Sequence, residues 1–236
     1  MIDVKNVRLL SGNSLKIIAM LTMLVDHIGY ILFPRVLILR IIGRISLPIF
    51  AFMIAEGCIY TRNKLKYFLG IFLLAVMCQI GYFIAGFGLD LSILVTFSYS
   101  LLIIFSLQNL KEKIINGTKP EMFFAYTLSI FVIGATYIVN RYYRTDYGFW
   151  GCMLPVFAYF AVFVKEKASS LMKVAFFAVG LLILCWRSGG IQYYSLLSLL
   201  LLLLYSGKRG QYNIKYLFYL FYPIHLVILY LIQCLY

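Results

Sequence analysis

The chain has 236 residues, 64% hydrophobic, 18% aromatic and only 12% charged, with a mean hydropathy of +0.95. This lies outside the soluble globular range and predicts an all-α, polytopic integral membrane bundle forming one membrane-embedded domain, residues 1–236. The formal net charge of +13 is mostly accounted for by topology, as argued below, and calls for no nucleic-acid partner.

Nine apolar segments are long enough, or nearly so, to cross a bilayer, which takes roughly 17 to 25 residues. In chain order they are Ser14–Phe33, Val36–Cys58, Leu65–Phe87, Ser92–Leu107, Met122–Val139, Gly148–Val164, Leu171–Trp186, Ile191–Tyr205 and Tyr216–Tyr236. The first is too long for a cleaved signal, and no small-residue cleavage site follows it. Ile191–Tyr205 is the shortest and reads equally as a half-buried or re-entrant segment. The loops between them are short, and no internal repeat stands out.

The first two segments carry the most unusual chemistry. Between Leu15 and Cys58 an apolar stretch holds Asp26, His27, Arg40, Arg44 and Glu56. Ionised groups in a bilayer cost several kcal/mol or more and by default mark functional sites. The two segments meet near Pro34 and Arg35. His27 lies eight residues before Arg35, about 12 Å below the turn, and Arg44 lies nine residues after it at nearly the same depth. Arg40 and Arg44, four apart, share one helical face. Asp26 and His27 point about 100° apart. Either His27 faces a cavity while Asp26 pairs with an Arg across the hairpin, or Asp26, Arg40 and Arg44 form a structural ion cluster with His27 a bystander.

The cations set the topology. With the N-terminus cytoplasmic, that side receives Lys5, Arg8 and Lys16; Arg62, Lys64 and Lys66; Lys111, Lys113 and Lys119; Lys165, Lys167 and Lys173; and Lys208, Arg209 and Lys215. These are fifteen of the 21 basic residues, as the positive-inside rule expects. The other six, Arg35, Arg40, Arg44, Arg141, Arg144 and Arg187, are all Arg, which is favoured where bidentate contact with carboxylate or phosphate matters. The five cysteines lack ligand-like spacing and read as buried free thiols, with no metal or disulfide implied.

Several stretches together carry a family likeness. Ser14-Leu-Lys-Ile-Ile-Ala-Met-Leu-Thr-Met-Leu-Val-Asp26-His27-Ile-Gly29-Tyr30 resembles the opening helix of TraX-type proteins, the conjugative pilin N-acetylation family. Arg44-Ile-Ser-Leu-Pro48-Ile-Phe50-Ala-Phe-Met-Ile-Ala-Glu56-Gly57 followed by Thr61-Arg62-Asn63, then Gln79, Asp146-Tyr147-Gly148 and Leu217-Phe-Tyr-Leu-Phe-Tyr222-Pro223-Ile-His225-Leu, match in the same order. The family looks related to broader membrane acyltransferases, which use an essential early-helix histidine to move an acetyl group from cytoplasmic acetyl-CoA to an acceptor beyond the membrane.

The resemblance therefore implies an acetyl-CoA-dependent N- or O-acetyltransferase of the bacterial cytoplasmic (inner) membrane. Its acceptor is a peptide such as a pilin N-terminus, a glycan or a small molecule; a homo-oligomer stays open. His27 occupies the position of the general base, with Asp26 and Arg44 beside it. A nearby Arg or amide donor would stabilise the oxyanion of the attacked thioester. Arg40, Glu56, Arg62, Asn63 and His225 fall to the coenzyme, and Gln79, Asp146 and Tyr147 to the acceptor. Each has a plainer reading: topology charges at Arg62 and its neighbours, a packed helix-interior residue at His225, a helix cap at Asp146, an ion pair at Glu56. A proton-coupled transporter or a non-catalytic membrane assembly subunit is the alternative for the whole chain.

Overall fold

The computed structural model describes residues 9–84, 91–143, 145–212 and 214–235, the side chains of Ile84, Lys215 and Tyr216 excepted. Lys5, Arg8, Arg144, the predicted segment end at Phe87 and the final Tyr236 lie outside the described residues. Among the described residues the regular structure is helical, as lipid demands of backbone that must satisfy its own hydrogen bonds. Seven helices among the described residues are long and apolar enough to cross a membrane, with Leu37–Tyr60 taken as one span; Gly148–Val164 and Gly190–Leu203 are shorter. The protein is an integral membrane protein.

The helices are α1 (Gly12–Ile31), α2 (Leu37–Gly43), α3 (Ser46–Tyr60), α4 (Lys64–Ile84), α5 (Ile93–Asn116), α6 (Lys119–Tyr142), α7 (Gly148–Val164), α8 (Ser170–Ser188), a 3₁₀ segment (Gly190–Leu197), α9 (Ser198–Leu203) and α10 (Lys215–Leu235). Their starts follow local capping chemistry. Ser11 Oγ accepts from Ser14 N at α1, Ser169 Oγ from Met172 N at α8, and Asn63 Oδ1 from Lys66 N at α4. Thr118 and Glu121 form a reciprocal capping box at α6.

The predicted second segment, Val36–Cys58, is not one continuous helix. It breaks at Arg44 and Ile45 between α2 and α3. Pro48 sits in the first turn of α3, where its missing N–H is tolerated; the carbonyl it would have bonded is that of Arg44. The lost hydrogen bond weakens the helix at that point, and the break falls on a candidate site residue.

The chain divides into two compact units, residues up to Met53 with those from Ser169 onward, and residues 54–168. In the first, α1 packs on α2 and on α10. Lys16 Nζ lies 5.1 Å from the Phe218 ring centre and His27 contacts His225, so α1 and α10 run parallel. The segment from Gly190 to Leu203 runs the opposite way. Its Gln192 meets Arg44 near the far end of α1, while the chain just past it bonds the start of α1: Leu10 N to Leu204 O, Ser206 N to Leu10 O and Gly12 N to Lys208 O.

This resolves the shortest predicted span, Ile191–Tyr205. Eight residues of 3₁₀ helix at about 2.0 Å and six of α-helix at about 1.5 Å reach roughly 25 Å. The tighter helix stretches a short run along nearly the whole length of α1.

In the second unit, α5 packs on α4, α6 and α7. Thr96 donates to Asp146 O, Ser100 to Cys152 O and Lys111 to Val162 O, which sets α5 and α7 parallel. Lys111 thereby reaches a carbonyl of the last turn of α7, where a cation is favoured. The free cysteines are buried at 58, 78, 152 and 185 and exposed at 234.

Candidate active site

Asp26 and His27 sit four to five residues from the end of α1, roughly 6 Å along the axis. Their neighbours in sequence point to two different partners in space. Asp26 Oδ2 accepts from Arg40 Nη1 at 2.6 Å, and its two oxygens accept from Arg44 Nη2 at 2.7 and 2.9 Å. One carboxylate thus holds both arginines, with side-chain exposures of 14% for Asp26, 23% for Arg40 and 11% for Arg44. Arg44 Nε also donates to the Arg40 carbonyl.

Gly43 makes this geometry possible. A Cβ there would overlap the Cβ and carboxyl of Asp26, so only glycine lets α2 approach α1 closely enough for the clamp. Arg44 caps the C-terminus of α2 with helical backbone, its N–H bonding the Arg40 carbonyl at 3.2 Å, and so stays on the face it shares with Arg40. Arg44 Nη1 further contacts Gln192 Oε1 at 3.5 Å. Gln192 was not singled out in the sequence, where it is one amide in a Gly-Gly-Ile-Gln-Tyr-Tyr-Ser run. The signal available was a Gln inside an otherwise apolar predicted span.

His27 pairs with His225 of α10. Nδ1 of His27 and Nε2 of His225 are 3.1 Å apart, and Nδ1 of His225 is 2.7 Å from the Phe221 carbonyl. A carbonyl only accepts, so His225 carries its hydrogen on Nδ1. In a neutral ring, Nε2 is then an acceptor, and His27 must donate to it from Nδ1. The remaining nitrogen of His27, Nε2, is left with its lone pair. Asp26 thus pairs with arginines across the hairpin, one of the arrangements the sequence allowed, while His27 pairs separately with His225. Pro223 lies inside α10 two residues before His225, and the Phe221 and Tyr222 rings pack against the imidazole.

The other sequence candidates belong to the second unit and have contacts of their own. Asn63 spends its side-chain oxygen on capping α4, and Arg62 is exposed beside it. Glu56 is 5% exposed in α3. Gln79 Oε1 accepts from Ser92 N at 3.3 Å, tying the end of α4 to the start of α5. Asp146 does not cap α7: the N-cap is Tyr147, at φ 61° and without a side-chain cap. Asp146 is instead anchored through its backbone, its N–H to Leu91 O and its carbonyl to Thr96 Oγ1. Asn140, which the sequence also hid, braces that turn by accepting from Thr145 and donating to Thr136 O.

A family model described as TraX protein matches residues 11–233. The probable fimbrial assembly protein FimC, serogroup H1, of Dichelobacter nodosus is 27% identical over 242 residues, covering 93% of this chain and 94% of that protein. An uncharacterized protein of Rickettsia prowazekii (strain Madrid E) is 53% identical over 38 residues, covering 16% of this chain and 15% of that protein. No solved structure matches.

Proposed function

The chain belongs to the TraX protein family, and on that premise we propose that it is a membrane acyltransferase of the bacterial cytoplasmic membrane. It would move an acetyl group from acetyl-CoA to an amine or hydroxyl. The observation that carries this reading is the hydrogen-bonded series from the Phe221 carbonyl through His225 to His27. It resembles a base held by an orienting partner, the arrangement that acyl transfer uses to activate a weak nucleophile.

His27 Nε2 takes the proton from the acceptor as its nitrogen or oxygen attacks the thioester carbon. The C–S bond then breaks and the thiolate leaves, to be protonated by the imidazolium. His225 holds the His27 ring in the Nδ1–H tautomer and shares the positive charge that forms. Asp26 fixes the two guanidinium groups beside this pair, giving the cationic surroundings that a developing oxyanion needs in a water-poor site. Arg62 stays a candidate for the coenzyme phosphates, whereas Asn63 contributes through the helix end it caps. Asp146 and Tyr147, on an exposed turn, remain candidates for acceptor contact, and Gln79 acts on them indirectly by bracing the neighbouring helix ends.

The test is thiol release from acetyl-CoA by purified protein in detergent, with a panel of amines, hydroxyl compounds and short peptides. Wild type is expected to release thiol in an acceptor-dependent way, and a folded His27→Ala variant to lose about 10²- to 10⁴-fold, the usual worth of a general base. A second reading, a non-catalytic role in fimbrial assembly, draws on the printed name of the Dichelobacter relative. Under it the wild type neither binds nor consumes acetyl-CoA.

A further inference from the structure

The Asp26 cluster contains more hydrogen-bond donors than its carboxylate uses. Among the described residues, Arg40 bonds through Nη1 alone, to Asp26 Oδ2 and the Asp26 carbonyl. Its Nη2 and Nε keep three N–H donors. Asp26 is also shared unequally: Arg44 engages both oxygens and Arg40 only one.

Gln192 adds an independent observation. It is 4% exposed, and its Nε2 has no hydrogen-bond partner among the described residues, although Oε1 of the same amide faces Arg44. Native proteins satisfy nearly all buried polar atoms, because an unmade bond at such a site costs the group its full desolvation. Turning the amide over would set its N–H against a guanidinium donor and orphan the oxygen instead. Nor is Gln192 loosely placed. Its carbonyl accepts from Cys185 Sγ at 3.3 Å, and Gly189 and Gly190, at φ 66° and 54°, make the turn that starts its segment. Arg40 is steadied from its other side by the Tyr30 ring, 4.9 Å from the guanidinium carbon.

Unused donors of this kind, on Arg40 and on the amide that faces Arg44 of the same cluster, fit oxygen lone pairs with negative charge. We propose that Arg40 and Gln192 bind an anionic oxygen group, a carboxylate or phosphate, carried by the acceptor. Anchored there, one residue along α1 from His27, the acceptor presents its amine or hydroxyl to His27 Nε2. The identity of the bound molecule as acceptor rests on the acyl-transfer reading; the binding of an anionic group does not.

The experiment has a binding arm and a rate arm. Calorimetric titration of the purified protein in a neutral detergent compares O-phosphoethanolamine and β-alanine with ethanolamine and methylamine at matched ionic strength. Wild type should bind the two amines that carry a phosphate or carboxylate at least about 10-fold more tightly than the two that do not, the lower end of what charge-assisted hydrogen bonds supply. Gln192→Leu and Arg40→Gln should each reduce that ratio about 10-fold or more, and Gln192→Glu should abolish it, since the new carboxylate would itself occupy the arginines. In the rate arm, the same ratio in kcat/KM collapses through KM.

Equal binding of the amines with and without an anionic group by folded wild type overturns the proposal, whether or not the protein turns over acetyl-CoA. Loss of bound phospholipid in the variants with acceptor discrimination intact also overturns it, giving the site to a lipid phosphate. A fall in kcat that is equal for acceptors with and without an anionic group overturns it too, placing Gln192 at the reaction oxyanion. Anion binding without any turnover keeps the site and removes the acyl-transfer reading instead.

Discussion

At the scale of single residues, adjacent side chains on α1 do different work because a helix turns 100° between them. Asp26 answers to α2 and His27 to α10. Asp26 sits between two guanidinium groups that it clamps, so removing its charge should cost more than removing either partner. Asp26→Asn leaves two cations facing each other in a mostly buried setting and should lower stability by about 3 kcal/mol. Arg40→Gln keeps the Arg44–Asp26 pair and should cost less than half as much. Thermal unfolding in detergent measures both, and the reverse order would mean that the cluster does not share one carboxylate. His27 makes a separate prediction: nitrogen-resolved NMR of labelled imidazoles should find its hydrogen on Nδ1.

At the scale of elements, the close approach of α2 to α1 depends on Gly43. Adding a methyl by Gly43→Ala should destabilise by about 1–3 kcal/mol, as overpacking generally does. It should also displace the Asp26 carboxyl, with a loss of activity beyond what the stability change explains; full activity at unchanged melting temperature would contradict the account. The sequence made the hairpin of α1 and α2 legible through its charges, and the four-residue spacing put Arg40 and Arg44 on one face. It did not disclose the break at Arg44, although Pro48 was there to read. Helix-breaking by proline depends on where in the helix it falls, and the helix start was not yet known. The His27–His225 pair was out of reach for a different reason. It joins residues 198 apart, and no local pattern encodes which distant helix packs on which. Gln192 was hidden because a single amide has no periodicity.

At the scale of the whole molecule, the topology expected from the cations can be tested at the two short segments. Gly148–Val164 lies at the short end of the usual crossing length and Gly190–Leu203 below it, yet α7 follows α5 from Thr96 to Lys111, and the 3₁₀ run follows α1. Both should therefore cross. Single-cysteine labelling in a cysteine-free background, in intact cells, should leave positions 166 and 207 protected from a membrane-impermeant reagent and position 187 reactive. Reactive label at 166 or 207 would put the corresponding segment outside the set of crossings. The central claim, that His27 and His225 act as one base, is tested most directly by a double-mutant cycle on acetyl-CoA turnover. The account predicts a loss of about 10²- to 10⁴-fold for His27→Ala, a smaller loss for His225→Ala, and a double variant no worse than His27→Ala alone. Losses that multiply in the double variant, or a His225→Ala enzyme with wild-type kcat, would contradict it.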